Sequence, residues 1–312
     1  MLAANDQTGA CSRRAFLKKG SLASLGLLTA PSFLEAGDLF KGPGSKFSGV
    51  QIGVITYSYR SMPDSLQEIL SHTVNSGISA VELMGDAVES YAGCPADKAQ
   101  IAGWRATVSM DKFKEVKKMF DKAGVKIYAY KPNALGAGNT DAEIEHAMRA
   151  AKTLGATAVT VELPRDAAQT ERLGKLGARH KVYVGYHAHT QATDTLWDTA
   201  LEQSPYNSMN LDCGHYIAAK GHTTDSLLAL IRKRHNRITS MHLKDRKNAA
   251  NGGDNLPWGQ GDTPIKEILT LLKDNKYRIP VSIELEYKIP EGSDAVQEVK
   301  KCLEFAKNAL QG

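Results

Sequence analysis

The sequence predicts a (β/α)8 barrel, one domain over residues 48–312 behind an N-terminal leader of about 40 residues. Three observations carry that prediction. From Val50 onward eight short apolar, β-branched segments alternate with eight helical ones, and the connections are too long for hairpins, so the strands run parallel. Carboxylates and imidazoles recur where apolar segments give way to polar ones, which in a barrel gathers them on one face. No Gly-x-Gly-x-x-Gly follows the first strand, so a doubly wound open sheet lacks its dinucleotide fingerprint.

In chain order, Gln51–Ser58 is the first strand, and Asp64 caps a helix over Leu66–Val74 that Gly77 closes. Ile78–Met84 is the second strand. The stretch Gly85–Gly103, with Gly93-Cys94-Pro95, reads as an irregular insertion that could serve as a lid. Asp111 opens a helix through Phe120, and Val125–Tyr130 is the third strand. Thr140 or Asp141 opens the helix Glu143–Leu154, ahead of the fourth strand Ala156–Leu163. A helix through Leu173 and Leu176 leads to the fifth strand, Val182–His189. Thr195–Gln203 is a short helix and Ser208–Asp212 the sixth strand. Thr224 or Asp225 opens Ser226–Lys233, before the seventh strand Ile238–Leu243. Pro264 sits in the first turn of Ile265–Leu272, Ile279–Glu286 is the eighth strand, and Asp294–Leu310 closes the chain as an amphipathic helix.

The 312 residues can bury a substantial core, and 42% hydrophobic with 23% charged residues is ordinary for a globular chain. The formal charge of +5 is not concentrated in a basic stripe along the sequence, so no nucleic-acid partner is expected. Four scattered cysteines, Cys11, Cys94, Cys213 and Cys302, show no CxxC spacing and imply no disulfide framework. Cys213 reads as a packing residue.

The opening carries Ser12-Arg13-Arg14-Ala15-Phe16-Leu17-Lys18-Lys19 and then a modest apolar run from Ser21 to Leu34. It resembles a bacterial twin-arginine export signal at every defined position. That resemblance implies delivery by the twin-arginine export machinery as a folded protein, a mature start between Ala30 and Ser45, and a periplasmic or otherwise extracytoplasmic location. The run is too short and too interrupted by Ser, Gly and Pro31 for a stable membrane span.

Three segments hold the densest chemistry: Asn210-Leu211-Asp212-Cys213-Gly214-His215, Met241-His242-Leu243-Lys244-Asp245 and Ser282-Ile283-Glu284-Leu285-Glu286. They supply carboxylate and imidazole donors without a thiolate cluster, which suits one divalent ion: Mn²⁺ first, with Mg²⁺, Co²⁺ or Zn²⁺ compatible. Nine polar residues end successive strands: Glu82, Glu162, His187, His189, Asp212, His215, His242, Lys244 and Glu284. Any one could simply be solvated; their coincidence at strand ends points to a site.

With Gly185-Tyr186-His187-Ala188-His189-Thr190, Leu211-Asp212-Cys213-Gly214-His215, His242-Leu243-Lys244-Asp245-Arg246, Gly259-Gln260-Gly261-Asp262 and Ile283-Glu284 in this order, the body resembles the xylose isomerase-like barrel superfamily. That group includes sugar phosphate isomerases and epimerases and the type IV apurinic endonucleases. The resemblance implies a single-metal site with one ligand from each of the last four strands, for which Asp212, His242 and Glu284 match. The first ligand is usually a Glu, and here His187 stands in its place, with Glu162 as the rival ligand. Glu286 shares a face with Glu284 and competes with it. Glu162, Glu284 and His189 are the expected acid and base groups. Glu82, His215, Lys244, Arg246 and Trp258 are the expected substrate contacts, with Tyr57 a further ring that could stack on a sugar or pack in the core.

The reaction implied is proton abstraction beside a carbonyl, the ion lowering the cost of negative charge on oxygen. The expected activity is isomerisation or epimerisation of a non-phosphorylated sugar or polyol. A metal-assisted lyase or hydrolase acting on 3-keto sugars or glycosides is the alternative, and a non-catalytic sugar-binding barrel the lesser one. The endonuclease reading fails because strand two ends in Glu82, strand three has no His, and Asp254-Asn255-Leu256 lacks an imidazole.

Overall fold

The computed structural model describes residues 42–312, so the leader expected over residues 1–40 lies outside the described residues. Eight parallel strands close on themselves: β1 (Val50–Ile55), β2 (Ala80–Met84), β3 (Lys126–Lys131), β4 (Ala158–Glu162), β5 (Tyr183–His187), β6 (Asn207–Asp212), β7 (Ile238–Leu243) and β8 (Val281–Ile283). Strand β8 pairs with both β7 and β1, which completes the circle. A two-residue strand, Lys46–Phe47, folds back antiparallel on β1 below it. Among the described residues no helix is long and apolar enough to cross a membrane.

Eleven helices are described: α1 (Leu66–Asn75), α2 (Gly85–Tyr91), α3 (Lys98–Thr107), α4 (Asp111–Lys122), α5 (Asp141–Leu154), α6 (Ala167–His180), α7 (Asp198–Gln203), α8 (Cys213–Ala218), α9 (Thr224–Arg234), α10 (Ile265–Asp274) and α11 (Ala295–Gln311). Their starts are written locally. Ser65 with Glu68 and Thr140 with Glu143 form reciprocal capping boxes, and Asp97, Asp166 and Asp294 each cap a helix with a carboxylate, satisfying amide groups that a first turn leaves without partners. The insertion expected to be irregular over Gly85–Gly103 instead forms α2 and α3, with a turn at Gly93 (φ 86°) between them. The eighth strand is shorter than expected, three residues rather than eight.

Side chains alternate across each strand. One parity of the strands, including Val81, Leu83, Val159, Leu211, Met241 and Ile283, lies buried in the main apolar core. The other parity fills the barrel with polar groups: Glu82, Thr160, Asn210, Ser240, His242 and Ser282 are all 1% exposed or less. Register then decides who stands beside whom. Glu162 is level with His187, Asp212 with His242, and His242 with Ser282.

Candidate metal and active site

The C-terminal ends of β5 to β8 deliver His187, Asp212, His242 and Glu284, four buried residues whose donor atoms all lie within 4.8 Å of one another. Each is fixed from behind. Asp212 uses Oδ1 to accept the backbone N–H of His215 at 2.7 Å, capping α8, and presents Oδ2 to the cluster. His242 turns Nε2 to Glu82 Oε2 at 2.9 Å, leaving Nδ1 3.1 Å from Glu284 Oε2 and 3.7 Å from Asp212 Oδ2. His187 turns Nδ1 to Glu162 Oε2 at 2.9 Å and Nε2 to Asp212 Oδ2 at 3.2 Å. Both imidazoles thus have a carboxylate on the nitrogen away from the centre, the usual arrangement behind a metal-ligating histidine. Glu162 is outside the quartet, backing His187.

The donor set suits a divalent ion. Nδ1 of His242 and Oε2 of Glu284 are buried and lack a well-aligned hydrogen bond, although they stand 3.1 Å from each other. Lys244 Nζ sits among Asp212 Oδ2, Glu284 Oε2 and Glu286 Oε2 at 3.0, 2.7 and 2.9 Å, close enough for ion pairing with Glu284 but outside hydrogen-bond geometry. Three carboxylates around one ammonium leave an excess of two negative charges, which one such ion would balance.

Electrostatics follow the packing. Burial opposes the charged form of His242, but the carboxylates of Glu82 and Glu284 outweigh it and hold its pKa well above the ordinary value. His187 is likewise raised, burial being overcome by hydrogen bonds to Asp212 and Glu162. Burial disfavours the Lys244 ammonium, and Asp212, Glu284 and Glu286 more than compensate, so its pKa is raised. His215 goes the other way, pushed down to about 3 mainly by burial, which the Asp212 carboxylate only partly offsets, with Lys244, His187 and His189 adding repulsion. It is therefore a neutral imidazole between two cations, Lys244 Nζ at 3.0 Å from Nε2 and Arg246 Nη1 at Nδ1.

Around this centre the other side chains differ in how far they are exposed. Glu162 and His189 are about half exposed, with His189 Nδ1 3.7 Å from Glu162 Oε2 and its ring edge-on to His187 and His215. Arg246 is half-buried, its Nε and Nη2 held by the Gly253 carbonyl. Glu82, expected to meet substrate, does not: it is fully enclosed, accepting hydrogen bonds from Thr160 at 2.7 Å and Asn210 at 3.0 Å beside that of His242. Trp258 is also displaced from its expected role, 9% exposed and edge-on to Phe305 of α11. Tyr57 is exposed beneath the Arg60 guanidinium. The Cys213 thiol, buried and beside Asp212, has a pKa raised well above ordinary by burial first and that charge second, so it stays protonated and packs.

Two residues escaped the sequence reading. Lys131, ending β3, donates to Glu162 Oε1 at 3.0 Å. Its signal, a cation closing an apolar strand, was present in Tyr128-Ala129-Tyr130-Lys131. Asp245 accepts from the backbone of Gly259, Gln260, Gly261 and Thr263, so it shapes the following loop. A Cβ at Gly261 would stand 2.1 Å from its carboxylate, and one at Gly214 would stand 2.3 Å from Lys244 Cγ. Those glycines let the loop and α8 approach.

A closed parallel barrel with a buried carboxylate and imidazole cluster at its strand C-termini is the class that fold and site define. The chain belongs to the xylose isomerase-like TIM barrel family, whose profile matches residues 72–308. Similar solved structures include a xylose isomerase domain protein from Alicyclobacillus acidocaldarius, 17% identical, covering 84% of this chain and 100% of its own, TM-score 0.62. The IolI protein with a binding zinc atom is 17% identical over 84% of this chain and 99% of its own, TM-score 0.61. A D-psicose 3-epimerase in the presence of D-fructose is 13% identical over 84% of this chain and 100% of its own, TM-score 0.59. Sugar epimerases and a dehydratase are thus among the proteins that share the fold. No curated protein matches the sequence.

Proposed function

We propose that this protein is a metal-dependent isomerase or epimerase that moves a proton beside a carbonyl of a non-phosphorylated sugar or polyol. The observation that carries the reading is the quartet His187, Asp212, His242 and Glu284 with its two donor atoms that lack a well-aligned hydrogen bond, set below reachable acid and base groups. A divalent ion held by these four, Mn²⁺ by preference with Zn²⁺, Co²⁺ or Mg²⁺ compatible, would supply a Lewis acid for negative charge developing on a substrate oxygen.

The chain's own groups divide the remaining work. Glu162 on β4 is the half-exposed carboxylate and the candidate base. Burial raises its pKa, but hydrogen bonding and charge from His187, then Lys131, hold it below the usual carboxylate range, so it is ionised at neutral pH and a weak base. His189 beside it is the second proton carrier. Glu286 follows β8, on the opposite side of the eight-stranded circle from β4, where a second group is required if a proton is to return to the other face of the carbon. Arg246 and the neutral His215 are the candidate contacts for substrate oxygens, whereas Lys244, expected beside them, is buried among Asp212, Glu284 and Glu286.

The exposed pair of Glu162 and His189 favours one second reading: a metal-assisted lyase or hydrolase acting on 3-keto sugars or glycosides, in which His189 protonates a leaving oxygen. Both reactions start by removing the same kind of proton. Export through the twin-arginine route to the periplasm is part of the proposal and favours unphosphorylated substrates.

The test is elemental analysis of the mature protein with Asp212→Ala and His242→Ala, then incubation with 2-keto and 3-keto sugars in buffered D₂O. About one divalent ion per chain is expected, lost in both variants while circular dichroism is unchanged, with deuterium entering the sugar. Glu162→Gln should slow that entry by roughly 10²–10⁴-fold. A chain that takes up no Mn²⁺, Zn²⁺ or Co²⁺ sinks the reading, and a sugar-binding barrel without turnover would replace it.

A further inference from the structure

The opposite end of the barrel holds a cavity of about 890 Å³ at the N-terminal ends of the strands. Six cations line it: Lys46, Lys126, Arg237, Lys273, Lys276 and Arg278, with no Asp or Glu among the described lining residues. The nearest acid in sequence, Asp274, is exposed and outside the lining. From Lys41 onward the chain has 35 Lys and Arg (39 less the leader's four) against 31 Asp and Glu (34 less three). These six cations exceed the net excess of four over that span. Such convergence in a concave, low-dielectric wall focuses potential.

The cup is also built for more than a point charge. Its walls carry the hydroxyls or amides of Gln51, Thr157, Ser208, Asn236 and Thr239. Tyr183, 42% exposed and stacked on Tyr206 at 5.2 Å, and Tyr277, stacked on His235 at 4.2 Å, put braced rings at the rim. Tyr128, hydrogen-bonded to Ser282, closes the floor and separates the cup from Glu82 and the centre above. Arg237 belongs to the frame, its Nη2 donating to the carbonyls of Leu201, Ser204 and Asn207. A funnel of this volume, rather than a stripe, does not follow a nucleic-acid backbone, and it exceeds what one phosphate fills.

We infer that the N-terminal mouth of the barrel is a binding site for a short acidic saccharide. Its carboxylates pair with Lys273, Lys276 and Arg278, its hydroxyls meet the polar wall, and a sugar ring lies on Tyr183. This second site needs no metal and does not depend on the reaction proposed at the other end.

The probe is fluorescently labelled trigalacturonate, titrated with the full chain at low and at 300 mM NaCl and followed by anisotropy, with maltotriose and phosphatidylglycerol vesicles as comparisons. Binding is expected for trigalacturonate, weakened tenfold or more by salt and by Lys273→Glu with Lys276→Glu and Arg278→Glu, and unchanged in Asp212→Ala. Lys46→Glu with Lys126→Glu on the facing wall gives an independent check should the first combination fold poorly. Absence of trigalacturonate binding at low salt, equal affinity for neutral maltotriose, indifference to both sets of reversals, or binding of vesicles alone would overturn the assignment.

Discussion

At the scale of single residues the least expected placement is that of Glu82, a carboxylate sealed inside the barrel. Burial alone would neutralise it, yet charge and hydrogen bonding from His242, then Lys131 and Thr160, keep its pKa below ordinary. Its consequence is orientation: by holding Nε2 of His242 it leaves Nδ1 toward Asp212 and Glu284. Glu82→Gln keeps the volume but cannot accept from Thr160, Asn210 and His242 with both arms. Metal affinity, read by titration of the demetallated protein, should fall by about 10–100-fold with the circular dichroism spectrum preserved. Unchanged affinity would reduce Glu82 to packing.

Among the elements, α3 shows where sequence reading stops. Amphipathic helices such as α5 and α10 announce themselves by apolar stripes, whereas the one buried residue of α3 is Arg105. A helix anchored by charge has no hydrophobic period, so the segment reads as loop. Arg105 makes two hydrogen bonds to Glu89 of α2, at 2.9 and 2.7 Å, and one to Glu143 of α5 at 3.2 Å, all three side chains being buried. Arg105→Ala leaves two carboxylates without their cation and should cost about 3–5 kcal/mol. Burial raises the pKa of Glu89 and of Glu143, but their hydrogen bonds outweigh it and both end lower than normal. A depressed folded pKa means stability that is complete above the unfolded value and lost as pH falls through the folded one. Urea midpoints should therefore drop for the native chain below about pH 4, and less steeply for Arg105→Ala; parallel curves would deny the triad that role. What was legible from the residues, the eight strands and the polar groups at their ends, depends on period-two alternation and ends of strands, both local properties; the choice of His187, Asp212, His242 and Glu284 among those groups, with Glu162 as rival, rested on the family resemblance. Glu82 sits where no local pattern could place it, because its partners Thr160, Asn210 and His242 come from strands distant in sequence, and Lys131 meets Glu162 only once β3 and β4 pair.

The whole molecule closes through its shortest barrel strand. Strand β8 contributes three residues, yet must join β7 to β1, and Glu284 follows directly after it. The four candidate ligands come from β5, β6, β7 and the end of β8, so an ion held by all of them can bind only while those strands stay side by side. Binding to the folded state alone stabilises it by linkage, about 2.7 kcal/mol at a hundredfold excess over Kd. For a barrel of this size each kcal/mol moves the melting temperature by roughly 2–4 °C, so a rise of roughly 5–10 °C is expected. Thermal melts of the demetallated chain with and without Mn²⁺, Zn²⁺ or Co²⁺ read it directly, and Asp212→Ala should show no rise. A native chain whose melting is indifferent to all three ions has no such staple, and the quartet would then be a charge network closed by Lys244.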